Sequence, residues 1–305
     1  MELCRLFGKS RQGYYQQLEY QQQETFDEYV VIELVRQKRV LWKRGSGRAL
    51  FISLQSDFIK HTISVGRDKF FDILGKHGLL LKRRKKRAIT TDSYHRFHKY
   101  PNLIKGIIPL KTNEIWVSDI TYIWIEEIND FIYLFLITDV YSRKIIGYCV
   151  SDTLRAENAL KALHMALFHA HEQSLKDGIH HSDRGLQYAC PAYVELLGKY
   201  GMKPSMTENS DPRDNGIAER VNRTIKEEFI NEKEITFATV KEAKRQLPKF
   251  IRFYNDERPH SSIDWLTPAQ AYNTTGELKR RWKNYYKKKE NINTQSQTHG
   301  EFSEV

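Results

Sequence analysis

Three acidic residues in the middle of the chain have the side-chain type and the setting needed for chemistry on phosphate esters. Asp119 lies in one short apolar run, Asp183 follows another, and Glu219 lies in the first turns of a stretch with helical spacing. Carboxylates that meet from separate elements bind hard divalent cations such as Mg²⁺, which prefer oxygen ligands and retain waters for substrate phosphates. Because two such ions can clamp the attacking and leaving oxygens of an in-line displacement, the three acids predict phosphoryl transfer on a polynucleotide.

Each of these acids has a simpler interpretation when it is taken alone. Asp183 could cap a turn, and Glu219 could be an ordinary residue on the surface of a helix. Asp119 is harder to explain in that way, because a charged carboxylate in an apolar strand is costly unless it is paired or bound to a metal. The order strand, strand, helix brings all three carboxylates near one edge of a sheet, and this convergence favours the metal site.

Two other groups in the same region compete with these acids for a chemical role. Asp139 ends an apolar run shortly before Arg143, and the turn residues between them favour a turn or salt-bridge role over catalysis. His180 and His181 suggest a metal site, but no other His or Cys stands at ligand spacing from them. We therefore interpret the two histidines as strand residues, one facing inward and one facing outward.

The composition is that of a globular protein with an affinity for polyanions. The chain has 305 residues, of which 40% are hydrophobic and 12% aromatic, so it has the means to form a packed core. Its formal net charge of +11 suits a nucleic-acid partner, because Lys and Arg that neutralise phosphates release counterions. The alternative is a basic protein whose lysines are simply solvated.

The cysteines and the apolar runs indicate where such a protein would work. The three cysteines are far apart and form no Cys-x-x-Cys pair, which argues against structural zinc and for reduced thiols in a cytosol. No run approaches the roughly 18 apolar residues of a membrane span, and the first residues lack the pattern of a signal peptide. We expect a cytoplasmic protein without a membrane partner.

The first third of the chain is predicted to be helical and basic. Apolar residues at helical spacing and Gly-containing turns divide residues 1–80 into short helices, compatible with a DNA-binding helix-turn-helix or with a plain helical bundle. Residues 81–110 are predicted to form a basic linker, because six consecutive cations cannot all be buried. We expect these cations to contact DNA phosphates or to mark a solvated boundary; they are Lys82, Arg83, Arg84, Lys85, Lys86 and Arg87.

Residues 111–275 are predicted to form an α/β fold. Three β-rich runs at 115–125, 131–140 and 144–150 are joined by short turns, which predicts an antiparallel meander. A helix, a strand, a helix, a further strand and a last group of helices follow along the chain. The sheet should therefore be mixed, five-stranded and layered with helices.

The C-terminal segment, residues 276–305, combines cations with aromatic side chains before it becomes uniformly polar. Aromatic platforms among cations suit nucleic acid, and Arg280 and Arg281 are candidates for DNA contact. The alternative for the basic part is a frayed and solvated helix. The polar end of the tail is predicted to be disordered.

Five sequence motifs in the second and last thirds of the chain resemble one protein family. Four of them contain the three acids and one intervening turn, at residues 116–122, 139–147, 181–188 and 214–219. The fifth, YNDERPH at residues 254–260, resembles the C-terminal signature of the same family. Together they resemble the DDE transposases and retroviral-type integrases, and most closely the second open-reading-frame product of IS3-family insertion sequences.

The resemblance implies a ribonuclease-H-like catalytic core with helices on both faces of the sheet. It implies a transposase that catalyses metal-dependent DNA strand cleavage and strand transfer at insertion-sequence ends. Two Mg²⁺ or Mn²⁺ ions would be bound by Asp119, Asp183 and Glu219. Lys226, which follows Glu219 by about two helical turns, would contact phosphate, although its spacing alone fits a solvated helical lysine equally well. Asn215 would orient Glu219 or touch DNA.

The same resemblance implies the partners of the protein. They are double-stranded DNA at the element ends and at the target, other copies of this chain in a homo-oligomer on DNA, and an upstream helix-turn-helix protein. That upstream protein would be fused to this chain or bind it separately, and the assembly would be associated with the nucleoid of a bacterium. Two alternatives stay open: a ribonuclease-H-like nuclease without strand transfer, and an inactive transposase remnant that only binds DNA.

Overall fold

The structure, a computed structural model, describes most of the chain up to the C-terminal tail. The described residues are residue 8 and residues 10–81, 98–170, 175–208, 215–230 and 237–281. The six consecutive cations at 82–87 and the tail beyond residue 281 lie outside these stretches, so the predictions for the linker and the tail stay predictions. Within the described stretches, no helix combines the length and the apolar character needed to cross a membrane.

A mixed five-stranded sheet forms the centre of the fold, as the sequence predicts. Its strands are β1 (Ile115–Ile125), β2 (Asp130–Asp139), β3 (Ile145–Ser151), β4 (Ile179–Ser182) and β5 (Lys203–Met206). The spatial order is β3-β2-β1-β4-β5, with antiparallel pairing among β1, β2 and β3 and parallel pairing of β4 with both β1 and β5. Short turns permit the antiparallel pairs, whereas the parallel pairs need the longer helical crossovers.

Helices cover both faces of this sheet. They are α1 (Arg11–Leu41), α2 (Gly47–Ser53), α3 (Gln55–Lys60), α4 (Arg67–Lys76), α5 (Ala156–His169), α6 (Leu186–Ala189), α7 (Pro191–Lys199), α8 (Gly216–Thr224), α9 (Val240–Asp256) and α10 (Pro268–Tyr272). One hydrophobic cluster packs α5 and α7 against Phe135 and Ile137 of β2. A second cluster packs α8 and α9 against Leu134 and Leu136 of the same strand. The alternation of side chains along β2 therefore feeds two cores, one on each face.

Because helices cover both faces of the sheet, the prediction that one of the two histidines faces outward to solvent is wrong. His180 and His181 on β4 are both buried, although the sequence predicts that one of them faces outward. Strand alternation does send them to opposite faces, but both faces are covered and neither side chain meets solvent. His180 Nε2 lies 2.7 Å from Ser118 Oγ, and His181 Nδ1 lies 2.8 Å from Ser205 Oγ. Burial lowers the pKa of His180 to about 3, so its ring is neutral.

The N-terminal helices share a hydrophobic core with the sheet. Trp42, which directly follows α1, is fully buried, and its ring lies 5.6 Å from that of Phe253 in α9. Leu50 of α2 belongs to the same cluster as Ile123 of β1. The predicted helical region at 1–80 is therefore observed over its described part, but its core is continuous with that of the α/β region. Its role in DNA binding stays a prediction.

Gly147 on β3 marks a close approach of helix α5 to the sheet. A Cβ at this position would lie 2.2 Å from the Ala162 carbonyl oxygen and 2.9 Å from the Ala166 Cβ. We expect Gly147→Ala to lower the free energy of unfolding by about 2–3 kcal/mol, because the helix must shift to admit the methyl group. Urea denaturation measures this loss.

A glycine in α7 provides the control for that substitution. A Cβ added at Gly198 would meet nothing within 4 Å. Gly198→Ala should therefore leave stability unchanged or raise it by up to about 1 kcal/mol through helix propensity. Equal losses in the two variants would contradict a steric role for Gly147.

Candidate active site

Asp119 and Asp183 lie at corresponding positions of two neighbouring parallel strands. Ser118 of β1 pairs with Ser182 of β4, and each aspartate is the next residue along its strand direction. Asp119 continues within β1, whereas Asp183 directly follows the end of β4. Because parallel strands run in the same direction, both carboxylates belong to the edge where β4 ends. The predicted convergence of these two acids is therefore observed.

Helix α8 lies against β1 and carries the third acid. The Asn222 side-chain amide donates to Asp119 Oδ2 over 2.8 Å, and that of Asn215 donates to the Ser118 carbonyl oxygen over 3.0 Å. Asn215, Glu219 and Asn222 recur at spacings of four and three residues, so they share one face of the helix. Glu219 therefore lies between Asn215, which binds Ser118, and Asn222, which binds Asp119.

Burial raises the pKa of Asp119 and of Glu219, and neighbouring negative charge adds to the rise at Asp119. Burial and then the negative charge of Asp183 raise the pKa of Asp119 to about 7, and Glu219 contributes a smaller increase in the same direction. Hydrogen bonds from Asn222 and from the Ile120 N–H oppose this rise. Burial also raises the pKa of Glu219, and Arg223 partly offsets that shift. Asp183 and Glu219 therefore lie close enough to Asp119 to interact with it electrostatically. The two hydrogen bonds to Asp119 do not fully offset the cost of its negative charge.

The side chains present suit a hard divalent cation by type, but their arrangement does not yet enclose one. The donors available from the three acids are all carboxylate oxygens, which are the ligands that Mg²⁺ and Mn²⁺ favour. Among the residues that the structure describes, no group of three or more His, Cys, Asp or Glu side chains is gathered closely enough to hold an ion. The assignment of Asp119, Asp183 and Glu219 as metal ligands thus stays a prediction, supported by donor chemistry and uncompensated charge.

Asp139 has the turn role that the sequence favours for it. Its carboxylate is fully buried and accepts hydrogen bonds from the Ser142 N–H at 2.7 Å, the Ser142 hydroxyl at 2.5 Å and the Asn113 N–H at 2.8 Å. The two Ser142 donors close the turn between β2 and β3, and the Asn113 N–H ties this turn to the segment that precedes β1. A carboxylate engaged in this way does not compete for a catalytic role.

The residues predicted to contact DNA have different surroundings. Asn215 is only 4% exposed and holds α8 against β1, which favours its orienting role. Lys226 is half-buried and lies in a π-helical turn, Ile225–Ile230, that continues α8. Arg280 and Arg281 are both exposed, and Arg281 forms an ion pair with Asp264. DNA contact by any of them stays a prediction.

One residue of this region is absent from the sequence-based prediction. Asn222 supplies the hydrogen bond to the Asp119 carboxylate, but an isolated asparagine carries no motif of its own. Its spacing of three residues from Glu219 is the signal that could have found it, since residues three apart on a helix face the same way. Helical spacing from a suspected catalytic residue is therefore informative even where the residue type is not.

Comparison with known proteins decides the family of this chain. The Integrase core domain family matches residues 109–212, and a second family of the same description matches residues 200–268. The Insertion element IS600 uncharacterized 31 kDa protein of Shigella sonnei is 33% identical over 273 residues, which cover 88% of this chain and 96% of that protein. The chain belongs to the DDE transposase and integrase superfamily. This membership confirms the predicted ribonuclease-H-like integrase core, the class of DDE polynucleotidyl transferases and the transposase function.

Further relatives match over shorter spans. The Transposase for insertion sequence element IS904 of Lactococcus lactis is 34% identical over 178 residues, which cover 57% of this chain and 68% of that protein. Among solved structures, the HTLV-2 integrase catalytic core domain in complex with magnesium is 18% identical, with a TM-score of 0.40, and the match covers 54% of this chain and 99% of that chain. The family assignment rests on the sequence relatives.

Proposed function

We propose that this superfamily member is the transposase of an IS3-family insertion sequence, and that Asp119, Asp183 and Glu219 carry its chemistry. The reaction is cleavage of DNA strands at the element ends and their transfer to target DNA. The observation that carries the assignment is geometric: the register of β1 and β4 places Asp119 beside Asp183, and Asn222, on the helix that holds Glu219, donates to Asp119. In agreement with this geometry, the charge of Asp183 adds to burial in raising the pKa of Asp119. Such coupling of perturbed carboxylates is typical of a functional site.

The three acids would hold two Mg²⁺ or Mn²⁺ ions. When bound, these ions supply charge stabilisation for a phosphodiester displacement and favour ionisation of the attacking hydroxyl or water. The chain's own residues orient the ligands. The Asn222 amide and the Ile120 N–H fix the two oxygens of Asp119, and the Gly185 N–H donates to Asp183 Oδ1 over 3.0 Å. These hydrogen bonds fix the orientation of the Asp119 and Asp183 carboxylates without a bound cation.

Double-stranded DNA is the proposed partner of the chain. The formal net charge of +11 favours binding to a polyanion, and we propose phosphate contacts by Lys226, Arg280 and the cations at 82–87. We further propose a homo-oligomer assembled on the DNA ends and cooperation with an upstream helix-turn-helix protein, either fused or separate. Association with the bacterial nucleoid follows if the chain binds DNA in the cell.

A strand-transfer assay tests the proposed function. Purified chain is incubated with labelled element-end DNA, with Mg²⁺ or Mn²⁺, and with a target plasmid; DNA of the same length and a scrambled end is the control. We expect the element end to be joined to the target plasmid only when the metal is present, and we expect no joining of the scrambled end. A second substrate with a pre-formed 3′-hydroxyl end separates joining from cleavage.

The alternatives give different products in the same assay. Cleavage of the first substrate without joining of the pre-formed end would favour a nuclease without strand transfer. Specific binding of the end without cleavage or joining would favour an inactive remnant. Repeating the assay with the fused upstream protein identifies the case in which this chain needs that partner to find its ends.

A further inference from the structure

A largely buried ion pair links Glu228, on the same helical segment as Glu219, to Arg258, and it lies outside the candidate active site. Glu228 Oε1 accepts from Arg258 Nη2 over 2.6 Å, and Glu228 Oε2 accepts from Arg258 Nε over 2.8 Å. The two side chains are only 13% and 19% exposed, for Arg258 and Glu228 respectively. The Trp42 indole N–H donates to the same Glu228 Oε2 over 2.6 Å. We call Trp42, Glu228 and Arg258 the helix clamp.

The aromatic and imidazole neighbours of Arg258 complete its surroundings. Its guanidinium carbon lies 5.9 Å from the ring centroid of Trp42 and 5.8 Å from that of Tyr254. Its Nη1 donates to His260 Nε2 over 2.8 Å. Burial and the charge of Arg258 lower the pKa of His260 well below its ordinary value, so the ring is neutral and able to accept. Burial alone would lower the pKa of Arg258, but the Glu228 carboxylate raises it.

The clamp joins three elements that are distant in sequence. Trp42 directly follows α1, Glu228 lies in the π-helical turn after α8, and Arg258 follows the end of α9. A second contact strengthens the first junction, because the Arg44 N–H donates to the Glu228 carbonyl oxygen over 2.9 Å. The N-terminal helices and the end of α9 therefore both meet the helical segment that carries Glu219.

The segment that contains Arg258 is also fixed to the sheet. The Asn255 side chain accepts from the Ile145 N–H and donates to the Ile145 carbonyl oxygen, each over 2.9 Å. The Tyr254 hydroxyl donates to the Arg143 carbonyl oxygen over 3.2 Å. Residues 254–260 thus dock on the start of β3 at one end and bind Glu228 at the other. This arrangement gives a physical role to a motif that the proposed chemistry does not use.

The two ends of the catalytic helical segment are consequently held by different contacts. Asn215 and Asn222 hold its first part against β1, and the clamp holds its last part. Between them the helix changes from α to π at Ile225, and such wide turns are rare and frequently found at functional sites. The position of Glu228 therefore limits how far the segment can rotate or slide along β1, and with it the position of Glu219.

We propose that Arg258 and Trp42 are positioning residues for the strand-transfer reaction, acting through Glu228 to hold the helix that carries Glu219 and Asn222 at Asp119. The proposal rests on the proposed function for its effect on activity, but its structural content is independent of that function. It also gives the N-terminal helices a route to influence the active site, because Trp42 belongs to their junction with the sheet.

The test compares helix exchange and reaction rate in Arg258→Lys, Glu228→Gln, Trp42→Phe and the double variant Glu228→Gln/Arg258→Gln. Hydrogen–deuterium exchange of peptides covering 216–230 reports the catalytic helix directly. Arg258→Lys and Glu228→Gln should speed exchange there by about tenfold or more, while β1 keeps its protection. Single-turnover joining of a pre-formed end should fall by about 10–100-fold, with end-DNA binding changed by less than about threefold, because a small misplacement affects the chemical step.

The double variant and a neighbouring ion pair provide the controls. Glu228→Gln leaves the Arg258 guanidinium without its counter-charge, so the neutral double variant should exchange more slowly than Glu228→Gln alone. Glu257→Gln removes the Lys38–Glu257 ion pair, which spans α1 and the end of α9 at 2.7 Å but does not touch the catalytic helix. It should change neither helix exchange nor joining.

Two results would overturn the proposal. One is unchanged exchange at 216–230 in folded Arg258→Lys and Trp42→Phe. The other is a loss of joining that merely follows the folded fraction, with Glu257→Gln affected alike. Trp42→Phe keeps one aromatic ring, removes the indole donor and changes no charge, so it keeps the test decisive if the variants of Glu228 and Arg258 do not fold. Failure of the wild type to join DNA would count against the proposed function, whereas the exchange result would still decide the positioning role.

Discussion

Replacing Asp119 or Asp183 by Asn, or Glu219 by Gln, is expected to reduce DNA strand transfer by about 10³-fold or more in each case. The amide keeps the shape of the carboxylate but removes the charge that would bind a divalent cation, so folding should be retained while the chemistry is lost. Single-turnover joining of a pre-formed 3′-hydroxyl end measures the loss without a contribution from cleavage or product release. Two of these substitutions combined should cost little more than one, because groups that act as a unit are not additive.

The same change at an unrelated aspartate is the matched control for this prediction. Asp177 is exposed, precedes β4 rather than following it, and pairs with Lys203 over 2.9 Å. Asp177→Asn should leave joining within about twofold of the wild type, since loss of an exposed ion pair has a small effect. A variant of the triad that joins DNA at the wild-type rate would remove that acid from the active site.

Local pattern was sufficient to predict the sheet and the first two acids. The three β-rich runs correspond to β1, β2 and β3, and α5, β4, α7, β5 and the last group of helices follow in the predicted order. The prediction of short helices in residues 1–80 is wrong for α1, which is one helix of 31 residues. Asp119 and Asp183 were found because a carboxylate in or after an apolar run is unusual and needs a reason. Parallel pairing of β1 with β4 then brings them together. Each of these steps uses information contained within a few residues.

The contacts that hold the helical segment 216–230 join residues far apart in the sequence, so local sequence pattern does not predict them. Trp42 and Glu228 form a hydrogen bond although 186 positions separate them, and no periodicity in either segment identifies the other. Helical spacing in 1–80 predicts an apolar face but not the surface it covers, which is why the core shared with the sheet was not predicted. For the same reason the sequence did not predict that both faces of β4 are covered. The burial of both His180 and His181 follows from that cover.

Without metal, Asp119→Asn is expected to be more stable than the wild type above neutral pH. The folded protein holds the pKa of Asp119 at about 7, against an ordinary value of 3.8 in the unfolded chain. Between these two values the folded state binds the extra proton, so wild-type stability falls as pH rises from about 4 to about 7, by on the order of 2–4 kcal/mol. The amide lacks this dependence, although it can satisfy only one of the two donors, Asn222 and the Ile120 N–H, that Asp119 accepts from.

The variant should therefore exceed the wild type by about 1–3 kcal/mol near pH 8, a difference of a few degrees in melting temperature, and should lose this advantage near pH 5. Thermal unfolding in the presence of a chelator measures both values, and the difference between the two proteins removes the contribution of other titrating groups. Saturating Mn²⁺ should reverse the order, because an ion bound to the native state stabilises only the protein that retains its ligands. A wild type that stays less stable than Asp119→Asn when Mn²⁺ is present would show that the acids repel one another without serving as a metal site, and would leave the joining reaction to be explained by other residues.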